Sequence, residues 1–123
     1  MNIYITTIND KIIINNISEV IDKNIKVIDV SSLLKIYRDK HYNENIIKNV
    51  LSKEIETLLI IYNKNKNVNN VLYIINDIDI NFLSNFKEYV ESVGIHSLRY
   101  FLVDCFDEFS NEIRDSFDDV IYI

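Results

Sequence analysis

The chain has 123 residues, of which 48% are hydrophobic, and a formal net charge of −6, which together fit one domain with its own core. Its single cysteine excludes an internal disulfide, and no apolar run approaches the ~20 residues of a membrane helix. Acidic residues outnumber basic ones by 19 to 13 and the three arginines are scattered, which argues against nucleic-acid binding, because such binding needs clustered positive charge.

The first predicted element is an N-terminal β-hairpin. The runs Tyr4–Ile8 and Lys11–Ile14 are rich in residues that favour strands, and Asn9-Asp10 between them suits a two-residue turn. A short helix capped by Asn16 is predicted to follow the hairpin. Its inward-facing residues are predicted to be Ile17, Val20 and Ile21.

Strands and helices are predicted to alternate along the rest of the chain. Runs rich in β-branched and aromatic residues predict four further strands, at Ile25–Val30, Val71–Ile75, Ser97–Val103 and Val120–Ile123. Apolar residues at spacings of three and four predict helices between the strands, and the clearest helix runs from Glu44 to Tyr62. The other predicted helices carry Leu33, Leu34 and Tyr37 after a cap at Ser31 or Ser32, then Phe82, Phe86, Val90 and Val93 before Gly94, and last Phe106, Phe109, Ile113 and Phe117.

This alternation predicts the fold class. Strands that are separated by helices of about ten or more residues pair in parallel through right-handed crossovers. We therefore expect an α/β fold, a three-layer sandwich with a mostly parallel sheet, helices on both faces and the N-terminal hairpin at one edge. One domain is expected to span residues 1–123. The lone thiol and the absence of a signal-peptide pattern favour a cytoplasmic location without membrane attachment.

Acidic side chains stand at the predicted carboxyl ends of strands, where open α/β sheets bind their ligands. These ends carry Asp29, Asn76, Asp77, Asp79 and Asp104. The candidate catalytic residues of a Mg²⁺-dependent phosphoryl-transfer or phosphodiester-cleaving enzyme are Asp29, Asp77 and Asp104, and together with Asp79 they are the candidate metal ligands. Asp and Asn also cap the helices that follow strands, so helix capping is the simpler explanation of the same pattern.

The other reactive side chains give no matching motif. Cys105 is predicted at the start of a helix, but a cysteine phosphatase would need an arginine six positions later, where Asn111 stands. His41 and His96 have no second histidine or cysteine at metal-ligand spacing. We therefore expect Cys105 to be a small buried residue and neither histidine to bind metal.

Three segments carry a family resemblance. They are Ile25–Val30 as a strand, Val71–Gly94 as a strand, an acidic residue and a helix, and Asp107–Ile123 as a closing helix and strand. In this order they resemble a P-loop kinase of the deoxynucleoside-monophosphate kinase type, as found in large phages. Such kinases hold phosphate with a glycine-rich loop that is followed by Lys and Ser or Thr. The corresponding stretch, Thr6–Ile14, contains Lys11 but no glycine, which predicts that nucleotide binding has been lost.

These observations lead to one hypothesis and two alternatives. The missing phosphate loop, metal motif and nucleophile favour a non-catalytic module that binds another protein or itself and needs no cofactor. The alternatives are the enzyme described above, with Mg²⁺ as its cofactor, and a structural component of a viral assembly. The chain has no proline and one glycine, and most of its common residues have AT-rich codons. This composition indicates a phage, another virus or a low-GC bacterium as its source.

Overall fold

The computed structural model describes residues 1–31, 43–64, 68–75, 80–95 and 98–123. The strands are β1 (Asn2–Thr6), β2 (Lys26–Asp29), β3 (Asn70–Ile74), β4 (Arg99–Asp104) and β5 (Asp119–Tyr122). The helices are α1 (Lys11–Ile21), α2 (Glu44–Lys64), α3 (Ile80–Ser92) and α4 (Asn111–Asp115). The predicted helix that carries Leu33, Leu34 and Tyr37 lies outside the described residues. Within the described ranges, no helix is long and apolar enough to cross a membrane.

The strands form one sheet in the order β2-β3-β1-β4-β5, and each described pair of neighbours is parallel. β1 lies at the centre, where Ile5 is opposite Tyr73 of β3 on one side and Leu102 of β4 on the other. Parallel neighbours require crossover connections, and helices lie between the strands in the chain. The predicted parallel α/β sheet is confirmed.

The predicted N-terminal hairpin is wrong. β1 is a central strand that pairs with β3 and β4, and Lys11–Ile14 forms the first turn of α1. Isoleucine favours strands through its β-branched side chain, but tertiary packing overrides this weak preference here. The reason is that Ile13, Ile17 and Ile21 recur at spacings of four and all contact one apolar core.

α1 therefore begins earlier than predicted and presents a different face to the core. It begins after Asp10 and not after Asn16, which lies inside the helix. Val20, predicted to face inward, is 68% exposed, whereas Ile17 is fully buried. The predicted inward position of Ile17 is confirmed and that of Val20 is wrong.

Side chains alternate between the two faces of the sheet and build two apolar cores. On one face, Ile17 of α1 packs in a core that contains Tyr4 and Phe101, whose rings stack with centroids 4.9 Å apart. On the other face, the larger core includes Ile55 of α2 and Phe86 of α3, with the partly buried Ile113 of α4 packed against it. The predicted three-layer arrangement, with helices on both faces of the sheet, is confirmed.

α3 ends at a glycine, as predicted. Gly94 has a φ of +82°, a left-handed conformation that strains residues with a Cβ atom. The N–H of Ile95 then donates to the carbonyl oxygen of Val90 at 3.3 Å and closes the helix. Val90 and both phenylalanines of the predicted stripe are buried, but Val93 lies past the helix end and is 39% exposed.

The last predicted helix is shorter than expected. α4 begins after Ser110, whose hydroxyl accepts a hydrogen bond from the N–H of Ile113 at 3.3 Å. Asp107 has a φ of +53°, which is incompatible with a right-handed helix at that position. As a result, Phe106 is 64% exposed and does not face inward as predicted, whereas Phe117 is buried.

Candidate functional site

The candidate site lies at the carboxyl ends of the central strands. The chain leaves β1 towards the edge of the sheet formed by β2, and it leaves β3 towards the edge formed by β5. The connections after the neighbouring strands β1 and β3 therefore run in opposite directions. Ligands of open α/β sheets bind at such a reversal. Residues 7–10, which join β1 to α1, lie at this position and are called the β1–α1 loop below.

Asp10 of the β1–α1 loop caps the N-terminus of α1. Its Oδ1 accepts hydrogen bonds from the backbone N–H groups of Ile12 at 2.9 Å and Ile13 at 3.2 Å. The first N–H groups of a helix have no partner within the helix, and a phosphate bound at a helix N-terminus uses these same donors. The carboxylate of Asp10 therefore occupies two donors that a phosphate would need. Lys11, the first residue of the helix, is exposed.

Two further hydrogen bonds join the β1–α1 loop to neighbouring strand ends. The Asn9 side-chain amide donates to Oδ2 of Asp29, the last residue of β2, at 2.7 Å. The Thr7 hydroxyl donates to Oε1 of Glu108, after β4, at 3.4 Å. The carboxylates of Asp29 and Glu108 thus contact the loop from both sides, and Asp10 adds a third negative charge. A phosphate approaching this loop would meet electrostatic repulsion.

The structure does not bring Asp29 and Asp104 together. β3 and β1 lie between β2 and β4, so the two strand ends are about 14 Å apart at ~4.8 Å per strand. Along β2, Asp29 lies on the same face of the sheet as Val27, which packs in the core on the α1 side. Along β4, Asp104 lies on the same face as Leu102, which packs in the core on the opposite side. One metal ion cannot contact carboxylates so far apart. Asp29 instead accepts a hydrogen bond from the N–H of Ser31 at 3.0 Å.

The remaining predicted ligands lie outside the described residues. These are Asp77 and Asp79. Asn76 and the two histidines, His41 and His96, also lie outside the described residues. In the part of the chain that the structure describes, no group of three His, Cys, Asp or Glu residues is placed to hold a metal ion. The Mg²⁺-dependent enzyme therefore stays a prediction, and its catalytic set cannot combine Asp29 with Asp104 at one ion.

Asp104 forms an ion-pair cluster with Arg114 and Asp107. Its side chain is fully buried, and Oδ2 accepts a hydrogen bond from Nη2 of Arg114 at 3.1 Å. Arg114 also pairs with Asp107, and its guanidinium lies 5.7 Å from the centre of the Tyr122 ring. Burial alone would lower the pKa of Arg114, but its hydrogen bonds to Asp107 and Asp104 outweigh burial and raise that pKa. These ion pairs link the end of β4 and the loop after it to α4, so Asp104 and Arg114 have a structural role.

Cys105 is not at the start of a helix, contrary to the prediction, because α4 begins at Asn111. Its side chain is half-buried and packs against the core on the α1 face. Burial and then the nearby carboxylates of Asp104 and Glu108 raise the pKa of the thiol. A protonated thiol is a poor nucleophile, so this environment does not activate Cys105.

Comparison with known proteins supports the fold alone. No protein-family model matches the chain, and no curated protein sequence matches it significantly. The chain is similar to the solution NMR structure of a de novo designed PLOOP2X3_50 fold protein, with a TM-score of 0.51 and 18% identity over 99% of this chain and 78% of the designed chain. At this identity the likeness shows a P-loop-like arrangement of strands and helices, and it assigns no activity.

Sequence reasoning missed most of the contacts at this end of the sheet. It placed Asp10 in a hairpin turn, although an aspartate before apolar residues at helical spacing is also the signature of an N-cap. Arg114 follows Asp104 by ten residues, a separation that no short-range pattern links. The contact of Asn9 with Asp29 depends on the strand order, which local patterns do not specify.

Proposed function

We propose that this chain is a non-catalytic α/β module that acts by binding another protein, and that its P-loop-like fold has lost phosphate binding. The resemblance to deoxynucleoside-monophosphate kinases of large phages supports descent from such a kinase. The AT-rich composition supports a phage, another virus or another AT-rich genome as the source. The module would act in the cytoplasm, which is that of the host cell if the source is viral.

The observation behind this proposal is the capping of α1 by Asp10. In a phosphate loop, glycines let the backbone N–H groups approach the phosphate closely, and the helix N-terminus stays free to receive it. Here the loop has a side chain at every position, and the Asp10 carboxylate already accepts hydrogen bonds from Ile12 and Ile13. A nucleotide would have to displace this carboxylate and then lie beside its negative charge.

Isothermal titration calorimetry with MgATP and MgGTP tests the loss of nucleotide binding. We expect no saturable heat with the wild-type chain. The Lys11→Ala variant serves as the matched control, because a working phosphate loop would depend on its lysine. Saturable binding to the wild type that disappears in Lys11→Ala would overturn the proposal.

Co-purification tests the protein-binding half of the proposal. The tagged chain, expressed in its native cells, should retain one partner protein at a stoichiometric ratio through gel filtration. A chain that emerges as a bare monomer, with no stoichiometric partner, would contradict this half.

A further inference from the structure

The strand β5 lies at one edge of the sheet and, in the described part of the chain, pairs with β4 alone. Its end is apolar and accessible, since Tyr122 is 62% exposed and the following Ile123 is 37% exposed. An edge strand presents backbone N–H and C=O groups that can pair with another strand. Many proteins bind extended peptides by adding them to such an edge.

A shallow groove of about 490 Å³ runs between α4 and β5. Its lining combines the apolar side chains of Phe117, Val120 and Tyr122 with the carboxylates of Asp115, Asp118 and Asp119. Side chains of an extended peptide alternate between its two faces. A strand added beside β5 would therefore place every second side chain over this groove.

The groove is negatively charged. Arg114 also lines it, but its guanidinium is already paired with Asp104 and Asp107. Lys87 interacts with Asp118, so the negative charge of the groove comes from Asp115 and Asp119. The opposite edge strand, β2, exposes Lys26 instead. The two edges of the sheet therefore differ in charge, and the β5 edge is complementary to a basic strand.

A second copy of the chain fits this edge poorly. It would bring the same acidic groove, with Asp115, Asp118 and Asp119, to the β5 edge. A second acidic edge supplies none of the positive charge to which this edge is complementary. The charge of the edge thus favours a different protein as its occupant.

We propose that the β5 edge and the adjoining groove bind an extended, lysine- or arginine-rich segment of a partner protein. The segment pairs with β5 as an additional strand, and its basic side chains contact Asp115 and Asp119, which are both exposed. This inference rests on the proposed function and assigns the surface through which the module would act.

Fluorescence anisotropy with a labelled peptide of alternating lysine and valine tests the inference. We expect saturable binding that weakens as salt is added, because screening reduces the attraction between exposed charges. A second peptide of the same charge, with proline in place of valine, lacks the N–H group at every second residue and favours a polyproline II helix over a strand. It should bind at least about tenfold more weakly.

Charge-reversal variants locate the binding surface. Asp119→Lys and Asp115→Lys should each weaken binding of the lysine–valine peptide about tenfold, since each replaces an attraction by a repulsion. Glu19→Lys makes the same change in net charge on exposed α1, across the sheet, and should leave the affinity within about twofold. Circular dichroism checks that all three variants fold.

Four outcomes with the purified chain would overturn the inference. These are no saturable binding at millimolar peptide, equal binding of the proline peptide, equal weakening by Glu19→Lys, and a wild-type dimer that Asp119→Lys dissociates. A stoichiometric partner that binds Asp119→Lys as tightly as wild type would also overturn the inference while leaving the proposed function intact. Nucleotide binding, in contrast, would overturn the proposed function without moving the peptide affinity.

Discussion

Replacing Arg114 by methionine measures how strongly the ion pair with the buried Asp104 carboxylate stabilises the fold. Methionine retains the unbranched apolar stem of the arginine side chain but has no guanidinium to pair with Asp104, whose side chain is fully buried. Removing one partner of a buried ion pair costs about 3–5 kcal/mol, because the other charge is left without compensation. Since 21% of the Arg114 side chain remains exposed to water, we expect the lower end, a loss of about 3 kcal/mol.

Urea unfolding followed by circular dichroism gives this free energy. Arg99→Met is the matched control, because Arg99 is exposed and its guanidinium lies 5.1 Å from the centre of the Phe101 ring, so its loss should stay below about 1 kcal/mol. The double variant Asp104→Asn/Arg114→Met should be about 2 kcal/mol more stable than Arg114→Met, because no buried charge remains. A loss below about 1 kcal/mol in Arg114→Met, as for a surface pair, or no recovery in the double variant would refute the reasoning.

Three further predictions concern a helix cap, a buried hydroxyl and a thiol. Asp10→Ala should lower the free energy of unfolding by about 1 kcal/mol and Asp10→Asn by much less, since asparagine also caps helices; equal losses in urea unfolding would contradict the cap. Burial raises the pKa of Tyr73 and Tyr100, so unfolding releases their protons above pH 10, and the free energy of unfolding should fall there by about 1 kcal/mol per pH unit for each tyrosine. Tyr73→Phe should reduce this slope by about 1 kcal/mol per pH unit and add about 1 kcal/mol at neutral pH, because the hydroxyl is buried without a partner among the described residues; an unchanged slope in pH-dependent urea unfolding would contradict the assignment. Cys105 should react with iodoacetamide at neutral pH more slowly than free cysteine, and faster reaction by mass spectrometry would contradict its raised pKa.

Much of the fold follows from local patterns in the sequence. The apolar run at β3 and the regular spacing in α2 each predict one element, and both elements lie where expected. Gly94 predicts the end of α3, because glycine adopts the left-handed conformation that closes a helix without steric strain. These signals lie within a few neighbouring residues, so one sequence suffices to find them.

The errors arise where distant parts of the chain decide the structure. Lys11–Ile14 has the composition of a strand, and only its packing against a sheet face makes it the first turn of α1. Asp29 and Asp104 both end strands, but the strand order and the alternation of side chains separate them. The same order brings Asn9 to Asp29. Strand order is a long-range property, and this explains why the site was harder to predict than the elements.

The backbone amide signals of Ile12 and Ile13 test the account most directly. In a ¹⁵N-labelled sample, both signals should stay in place while MgATP is added to millimolar concentration. They should move in the Asp10→Ala variant, which lacks the carboxylate that accepts their hydrogen bonds. Saturable shifts of both amides with MgATP at neutral pH would show that phosphate reaches these donors, and would contradict the loss of nucleotide binding.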